Sequence, residues 1–349
     1  MMLIKNEVKF NLDALSFAIT NKCNLSCSFC SRDSAKENEE HMRVEVVDDA
    51  IRQSLKFTKL KSVNLSGGEV FMHPDIENLL DRICKYGVDI RINTNGHFFN
   101  DENIKMLNKY NVKMFTVSMD SCDSVIHDEI RGIHGSLDKT KNGINRMSEE
   151  GYLFFLKMTV NALNVNTMFE TMKFAEALGA TGFSFSRVVP IGRARSDVVI
   201  DENFLKEYYY QGSLCSEYAK STKMRFVIDD PLSHFFDVRF LEGVKKVSNL
   251  NKVWRGCTAG LSYMYILLNG DVLACTGLVK PMGNLNRESL ENIWFKSELA
   301  QKLRTRKLLE GRCSTCDKKY LCGGCRAYAY ATTGNEMDED IFCQYGKDV

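Results

Sequence analysis

Strand-like and helix-like segments alternate along the first part of the chain, and this alternation limits the fold more than any other feature. Apolar, β-rich runs occupy residues 15–19, 62–66, 89–94, 114–119, 155–163 and 182–189. Amphipathic stretches typical of helices separate them, for example residues 44–59, 75–87, 103–111 and 166–179. Such repetition predicts a parallel sheet with right-handed crossovers. Six units are too few for a closed eight-stranded barrel, so we predict an α/β fold with a partial (β/α)6 barrel and its chemistry at the carboxyl ends of the strands.

The rest of the chain follows a different pattern. Residues 201–252 are rich in charge and include three consecutive tyrosines, which indicates a helical connection. From residue 253 the hydrophobic periodicity is poor while Gly and Cys become frequent, as expected for a small domain stabilised by bound metal. We therefore predict a barrel over residues 1–200, a connection over 201–252 and a Cys-rich domain over 253–349.

Composition excludes several classes of protein. The formal net charge of +1 gives no electrostatic footprint for nucleic acid or acidic lipid. The first fifteen residues lack an apolar run of signal length, and no later window resembles a membrane span. We therefore predict a cytoplasmic protein that binds neither nucleic acid nor membrane.

The thirteen cysteines are unusual for a chain in a reducing compartment, where metal or redox roles are expected rather than disulfides. Cys23, Cys27 and Cys30 form a C-x3-C-x2-C array after the first predicted strand, and seven more lie between residues 257 and 343. The scattered cysteines are expected to be core or surface residues: Cys84, Cys122 and Cys215.

Three thiolates at the spacing of this array can hold a cubane iron–sulfur cluster and leave one iron without a protein ligand. Zinc is an alternative, because C-x2-C pairs also bind zinc, but structural zinc takes four ligands. His41 is a candidate fourth ligand, although a lone polar histidine is more often a surface residue.

The segment "CNLSCSFC" resembles the signature of radical S-adenosylmethionine (SAM) enzymes, with Phe29 as the aromatic residue before the last cysteine. Four further segments resemble that family in the same order: "LSGGEVFMHPDI" (65–76), "RINTNG" (91–96), "VSMDSCDSVIHDEIRG" (117–132) and "VVPIGRA" (188–194). The resemblance implies that an open iron chelates SAM and that reductive cleavage yields a 5′-deoxyadenosyl radical.

The resemblance also implies the residues that contact SAM. Gly67 and Gly68 would let the backbone approach the methionine part of SAM, and this segment would bind the amino group of SAM. Glu69 either belongs to that amino-group site or has a structural role. Ser118 and Arg131 match positions that contact the ribose or the carboxylate of SAM. Alternatively, Ser118 is only a serine at the end of a strand, and Arg131 only forms a salt bridge at the surface. Weaker candidates for the ribose and adenine are Asn95 and Val189.

The carboxyl-terminal cysteines resemble the seven-cysteine SPASM domain, which holds two auxiliary iron–sulfur clusters. By this resemblance the outer cluster is held by Cys313, Cys316, Cys322 and Cys343, and the inner one by Cys257, Cys275 and Cys325. The implied cofactors are SAM and three [4Fe–4S] clusters, with two zinc sites as the alternative. Seven cysteines are one short of eight, so one inner iron is predicted to be open or bound by another group.

Two departures from the family pattern bear on function. Cys322 and Cys325 are separated by two glycines where the family has three residues, which a changed loop geometry would accommodate. Thr276 follows Cys275 where sulfatase maturases carry an acidic base, and a hydroxyl cannot act as that base near neutral pH. A sulfatase maturase is therefore not expected.

The first functional hypothesis is oxidative modification or cross-linking of a ribosomally synthesised peptide. The barrel begins near residue 13, so we expect a separate leader-peptide-binding protein or direct capture of the peptide. The alternatives are a dehydrogenase or epimerase of a sugar or aminocyclitol, and a non-enzymatic electron carrier. Flavodoxin or ferredoxin is the expected electron donor. No catalytic acid or base is assigned, and Asp229, Asp230 and Tyr263 are candidates to face the substrate or to be structural.

Overall fold

The strands of the computed structural model form one ten-stranded sheet in the order β10-β9-β8-β1-β2-β3-β4-β5-β6-β7. The structure describes residues 10–194, 197–237 and 256–344. The strands are β1 Ala14–Thr20, β2 Ser62–Gly67, β3 Asp89–Thr94, β4 Val112–Ser118, β5 Phe154–Val160, β6 Gly182–Arg187, β7 Arg225–Ile228, β8 Tyr263–Ile266, β9 Asp271–Cys275 and β10 Leu278–Asn284. Neighbours from β1 to β7 run parallel, and β8, β9 and β10 form an antiparallel meander.

Helices connect the parallel strands, and further helices follow the antiparallel meander. They are α1 Val44–Ser54, α2 Ile76–Cys84, α3 Asp101–Leu107, α4 Ser124–Arg131, α5 Ser136–Glu149, α6 Met168–Ala177, α7 Glu202–Tyr218, α8 Leu290–Lys296, α9 Glu298–Leu303, α10 Arg312–Thr315 and α11 Arg326–Thr333. Short 3-10 turns occupy Val70–Met72, Val165–Thr167, Pro231–Phe235 and Arg306–Leu308. Among the helices in the described ranges, none combines the length and the apolar character needed to cross a membrane.

The two faces of the sheet differ in polarity. In β3, Ile90 and Ile92 are buried and belong to the same core as Leu79 of α2, whereas Arg91 and Asn93 point to the opposite face and are exposed. Because side chains alternate along a strand, one face packs under the helices and the other stays polar. The polar face lines the interior of the partial barrel and is available to a ligand.

The predicted fold class is confirmed, with two additions at the sheet edges. The segment predicted as a helical connection contains α7 but also β7, which pairs in parallel with β6. Residues 238–252 of that connection lie outside the described residues. In the Cys-rich part, β8 pairs in parallel with β1, placing Tyr265 opposite Ser16. Both strands have four residues, which is too short for a clear period-2 pattern in the sequence.

Candidate functional site

The loop after β1 carries Cys23, Cys27 and Cys30, and all three are free thiols. Backbone hydrogen bonds fix this loop on the end of α4, where the amides of Ser26 and Ser28 donate to the carbonyls of Arg131 and Ile130 at 3.2 Å and 2.9 Å. The cysteine loop is therefore held by a rigid helix end.

Burial raises the pKa of the Cys23 thiol to about 12 and also raises the pKa of Cys27. A buried thiol becomes a thiolate ligand only when a cationic partner replaces the lost hydration, as cluster iron does. Within the described ranges, no three His, Cys, Asp or Glu side chains are grouped so as to hold a single metal ion. A cubane cluster does not need such a grouping, because each of its irons takes one cysteine. The loop thus offers the type of donor that the predicted cluster requires.

The Gly67–Gly68 segment at the end of β2 touches the start of the cysteine loop. The Gly68 amide donates to the Thr20 carbonyl at 2.6 Å. A Cβ atom on Gly67 would lie 2.4 Å from the Thr20 carbonyl oxygen, and one on Gly68 would lie 2.2 Å from that of Lys22. The glycines are needed for this backbone contact, and their predicted contact with SAM stays a prediction.

Glu69 is fully buried, and its carboxylate joins the ends of β2 and β3. It accepts hydrogen bonds of 2.8 Å from the Thr94 hydroxyl and the Asn95 amide, and a longer one of 3.4 Å from the Phe71 amide. Burial raises the pKa of Glu69 to about 7 despite these donors. This arrangement favours a structural role for Glu69 over a role in binding the amino group of SAM.

The Asn95 side chain links β3 to the cysteine loop. Its Nδ2 donates to Asn24 Oδ1 at 2.8 Å, and its Oδ1 accepts from the His97 amide at 3.0 Å. Asn24 also contacts the His97 ring at 3.0 Å. The predicted ribose contact of Asn95 stays a prediction, and these bonds give the residue a separate role in positioning the loop.

Arg131, the last residue of α4, lies against the cysteine loop. Its guanidinium is 2.6 Å from Asp120, 3.7 Å from Cys27 Sγ and 5.8 Å from the centre of the Phe29 ring. Both partners of the ion pair are buried, so the pair is not the surface salt bridge considered as an alternative. Ser118 ends β4 opposite Lys157 of β5.

The cysteines of the predicted outer set lie together. A cavity of about 20 Å³ is lined by Cys313, Cys316, Cys322 and Cys343, with His234, Lys319 and the two intervening glycines completing the wall. Gly323 and Gly324 both have positive φ, at 68° and 60°, and the Gly324 amide donates to Cys322 Sγ at 3.2 Å. Two consecutive left-handed residues are how the chain forms the shortened spacing before Cys325.

The cysteines of the predicted inner set also come together. The Cys325 thiol has a raised pKa, first because of desolvation and then because of the nearby charges of Cys257, Asp340 and Cys275. Cys257 is joined to the outer set, since its amide donates to the Cys322 carbonyl at 3.1 Å. The cysteines thus lie in groups of four and three, and their assignment as cluster ligands stays a prediction.

Segment 275–277 lies against the polar interior of the barrel. Val189, which follows β6, would be 3.4 Å from a Cβ atom on Gly277. Lys157 of β5 donates to Asp229 at 2.9 Å, and this carboxylate raises the Lys157 pKa, with the Cys275 charge adding to the effect. Asp229 therefore lies at the interior, whereas Tyr263 is held beside Cys275.

The sequence analysis missed a buried ionic network that joins the barrel to the Cys-rich domain. Arg187, at the end of β6, contacts Asp230 at 2.5 Å and Asp340 at 2.7 Å. Tyr208 donates to Asp230 at 2.5 Å, and Asp340 accepts from the Cys325 amide at 3.1 Å. Asp230 is therefore structural. No local pattern signals this network, because its partners are far apart in the sequence.

Comparisons with known proteins agree with this architecture. A model of the radical SAM superfamily matches residues 17–175, and a model of the SPASM iron–sulfur cluster-binding domain matches residues 257–317. An AdoMet-dependent heme synthase of Methanosarcina barkeri is 28% identical over 95% of this chain and 96% of its own length. The subtilosin biosynthesis protein AlbA of Bacillus subtilis is 27% identical over 98% of this chain and 72% of its own.

Among solved structures, SuiB of Streptococcus suis bound to S-adenosylmethionine superposes with a TM-score of 0.76. The identity is 20%, and the match covers 96% of this chain and 78% of SuiB, so it shows the shared fold. Together the fold and the cysteine sets define an enzyme of the class that uses SAM and iron–sulfur clusters. The chain belongs to the radical SAM superfamily, and it carries a carboxyl-terminal SPASM domain.

Proposed function

We propose that the chain uses SAM and three [4Fe–4S] clusters to oxidise an organic substrate held between the barrel and the SPASM domain. The observation that carries this proposal is the position of segment 275–277. Its Thr276 carbonyl accepts from Arg32 of the cysteine loop at 3.4 Å, and Gly277 packs against Val189. A substrate in the barrel interior would therefore lie between the cysteine loop and the inner cysteine set.

The cysteine loop would hold the SAM-binding cluster, and Cys257, Cys275 and Cys325 would hold the inner auxiliary one. When bound, these groups supply the 5′-deoxyadenosyl radical that abstracts a hydrogen atom and an acceptor for the electron that the substrate then loses. Arg131 fixes the cysteine loop through Cys27, and Glu69 and Asn95 fix the strand ends around it. Gly68, Ser118 and Val189 are proposed to contact SAM.

The first substrate class that we propose is a ribosomally synthesised peptide. Relatives named for peptide products support it, including AlbA and the sporulation killing factor maturation protein SkfB of Bacillus subtilis. SuiB, which shares the fold, has also been solved bound to its precursor peptide SuiA. A leader-peptide-binding partner protein and a flavodoxin or ferredoxin donor complete this proposal.

A second substrate class, a carboxylated tetrapyrrole, is favoured by a different observation. Three relatives are named AdoMet-dependent heme synthases, and each aligns over 95% of this chain and at least 87% of its own length. Heme is a tetrapyrrole with carboxylate side chains, so such a substrate would bring anionic groups into the polar barrel interior. A sugar or aminocyclitol substrate stays a prediction.

The test is an anaerobic incubation of the reconstituted enzyme with SAM, reduced flavodoxin and either precursor peptides or a propionate-bearing porphyrin. We expect 5′-deoxyadenosine and an oxidised substrate, detected by mass analysis as loss of hydrogen. Wild-type chains should contain about twelve irons, and replacing Cys23, Cys27 and Cys30 by Ala should remove about four and abolish SAM cleavage.

The exposed Cys84 lies outside the cysteine loop and outside the outer and inner cysteine sets, so Cys84→Ala is the matched control and should keep the iron content and SAM cleavage. Zinc without sulfide in the wild-type chain, or full SAM cleavage by the triple variant, would contradict the cofactor assignment. Absence of any substrate oxidation in both arms would contradict the proposed reaction.

A further inference from the structure

Arg32 reaches from the cysteine loop across the interior of the partial barrel. It follows Cys30 by two residues, and its guanidinium lies 5.7 Å from the centre of the Tyr265 ring. Tyr265 pairs with Ser16 across β8 and β1 and packs with Ala18 and Leu273 in a small cluster separate from the main core. The Arg32 side chain therefore lies on the interior face of the sheet.

The guanidinium of Arg32 has hydrogen-bonding capacity that the protein leaves unused. Its Nη2 donates to the Thr276 carbonyl at a long 3.4 Å, and its Nε is buried without a hydrogen-bond partner. Across the described ranges, Arg32 forms no ion pair, whereas Arg131 and Arg187 each contact a buried carboxylate. A buried, unpaired donor on a permanent cation is costly, so a ligand that accepts from it would be stabilised.

The neighbouring acidic residue cannot serve as the partner. Asp33, the next residue in the chain, has a positive φ of 52°, which is uncommon for a residue other than glycine. Its carboxylate pairs with Arg193 at 2.9 Å, and Arg193 also donates to the Ser34 carbonyl. The acidic residue next to Arg32 in the sequence is thus paired with another arginine, and Arg32 stays open toward the interior.

We infer that Arg32 binds a carboxylate of the substrate. The planar guanidinium fork matches a carboxylate and holds it in one orientation. Lys157 gives the same interior a second cation, partly neutralised by Asp229. This inference rests on the proposed function, since it assumes that the substrate occupies the barrel interior. A carboxylate on an acidic peptide and a propionate on a tetrapyrrole share the required chemistry.

The test compares binding of acidic probes with binding of their neutral counterparts to the reconstituted enzyme. One arm uses a propionate-bearing porphyrin and its methyl ester, followed by absorbance. The other uses an acidic peptide and the same peptide with Asn and Gln in place of Asp and Glu, followed by fluorescence anisotropy. Each is measured with wild-type enzyme, Arg32→Met, Arg32→Lys and the exposed control Arg287→Met.

In one of the two arms, either the porphyrin or the peptide arm, we expect wild-type enzyme and Arg287→Met to bind the acidic probe about tenfold or more tightly than its neutral counterpart. This preference should disappear in Arg32→Met and be partly kept in Arg32→Lys, which retains charge without the fork. The arm that shows the preference identifies the source of the carboxylate. A preference that is absent from wild-type enzyme in both arms, or unchanged in Arg32→Met, overturns the inference.

The carboxylate of SAM is the competing partner for Arg32, and equilibrium dialysis with SAM separates the two. We expect SAM to bind Arg32→Met within about threefold of wild type; a loss of about tenfold or more, with the probe preference kept, overturns the inference. Because product formation is not measured here, an Arg32-dependent preference without substrate oxidation would refute only the proposed reaction. Substrate oxidation without such a preference would refute only the role of Arg32.

Discussion

Glu69 is a carboxyl group without solvent contact, and its titration links protein stability to pH. Its pKa is raised from 4.5 to about 7, first by burial. The folded state therefore holds a proton that the unfolded state has already lost between these values, so the free energy of unfolding decreases as pH rises through this window. The stabilising contribution is complete below pH 4.5 and is lost above about pH 7.

The stability of the Glu69→Gln variant should lack this dependence on pH, because an amide side chain does not titrate. The free-energy difference between wild type and variant should shrink by up to about 3 kcal/mol from pH 5 to pH 8. Urea denaturation of both chains at the two pH values measures it. Glu45→Gln, at an exposed site of α1, is the control for the removal of a glutamate carboxylate. A constant difference for Glu69→Gln would refute the assigned pKa.

At the scale of elements, the end of β2 and the end of β1 determine where the cysteine loop begins. Gly67 has a φ of 136°, and a Cβ atom there would meet the Thr20 carbonyl oxygen at 2.4 Å. Gly67→Ala should displace the backbone that leads to Cys23. We therefore expect at least a tenfold loss of SAM cleavage, with lower iron content, measured after anaerobic reconstitution.

Gly87→Ala is the matched control, because Gly87 also has a positive φ, of 64°, but nothing lies within 4 Å of an added Cβ atom. It should cost about 1 kcal/mol of stability and keep the iron content. Equal iron loss in the two variants would show that backbone strain, rather than contact with the cysteine loop, explains the effect.

The elements that sequence patterns predicted are those with a local signal. Strands β1 to β6 and the cysteine spacings could be predicted because apolar alternation and ligand spacing are properties of neighbouring residues. The four-residue β7 and β8 carry too little pattern, and their partners decide their conformation. The bond between Asn24 and Asn95 and the contact of Arg187 with Asp340 depend on tertiary structure, so neither could be predicted from spacing.

At the scale of the whole molecule, Arg187 ties the barrel to the SPASM domain. Its side chain and those of Asp230 and Asp340 are at most 3% exposed. Arg187→Met should lower the free energy of unfolding by about 3–5 kcal/mol, because two buried carboxylates lose their cation. Thermal and urea denaturation measure this change.

Arg52→Met is the control for Arg187→Met, since Arg52 pairs with Asp49 at the surface and its side chain is 61% exposed. It should cost less than about 1 kcal/mol. Replacing Arg187, Asp230 and Asp340 together by apolar residues should recover part of the stability, since no buried charge is then left unpaired. A loss for Arg187→Met no larger than the surface control would contradict the role assigned to the network.

The pairing of β8 with β1 also has a consequence for synthesis of the chain. β1 is made early, yet its second neighbour begins at Tyr263, roughly 250 residues later. At ribosomal rates of about 5–20 residues per second, this edge of the nascent sheet stays open for on the order of 10–50 s. An open edge can pair with another chain. Cells that make this protein at high rates would therefore be expected to need chaperones acting before the last quarter of the chain emerges.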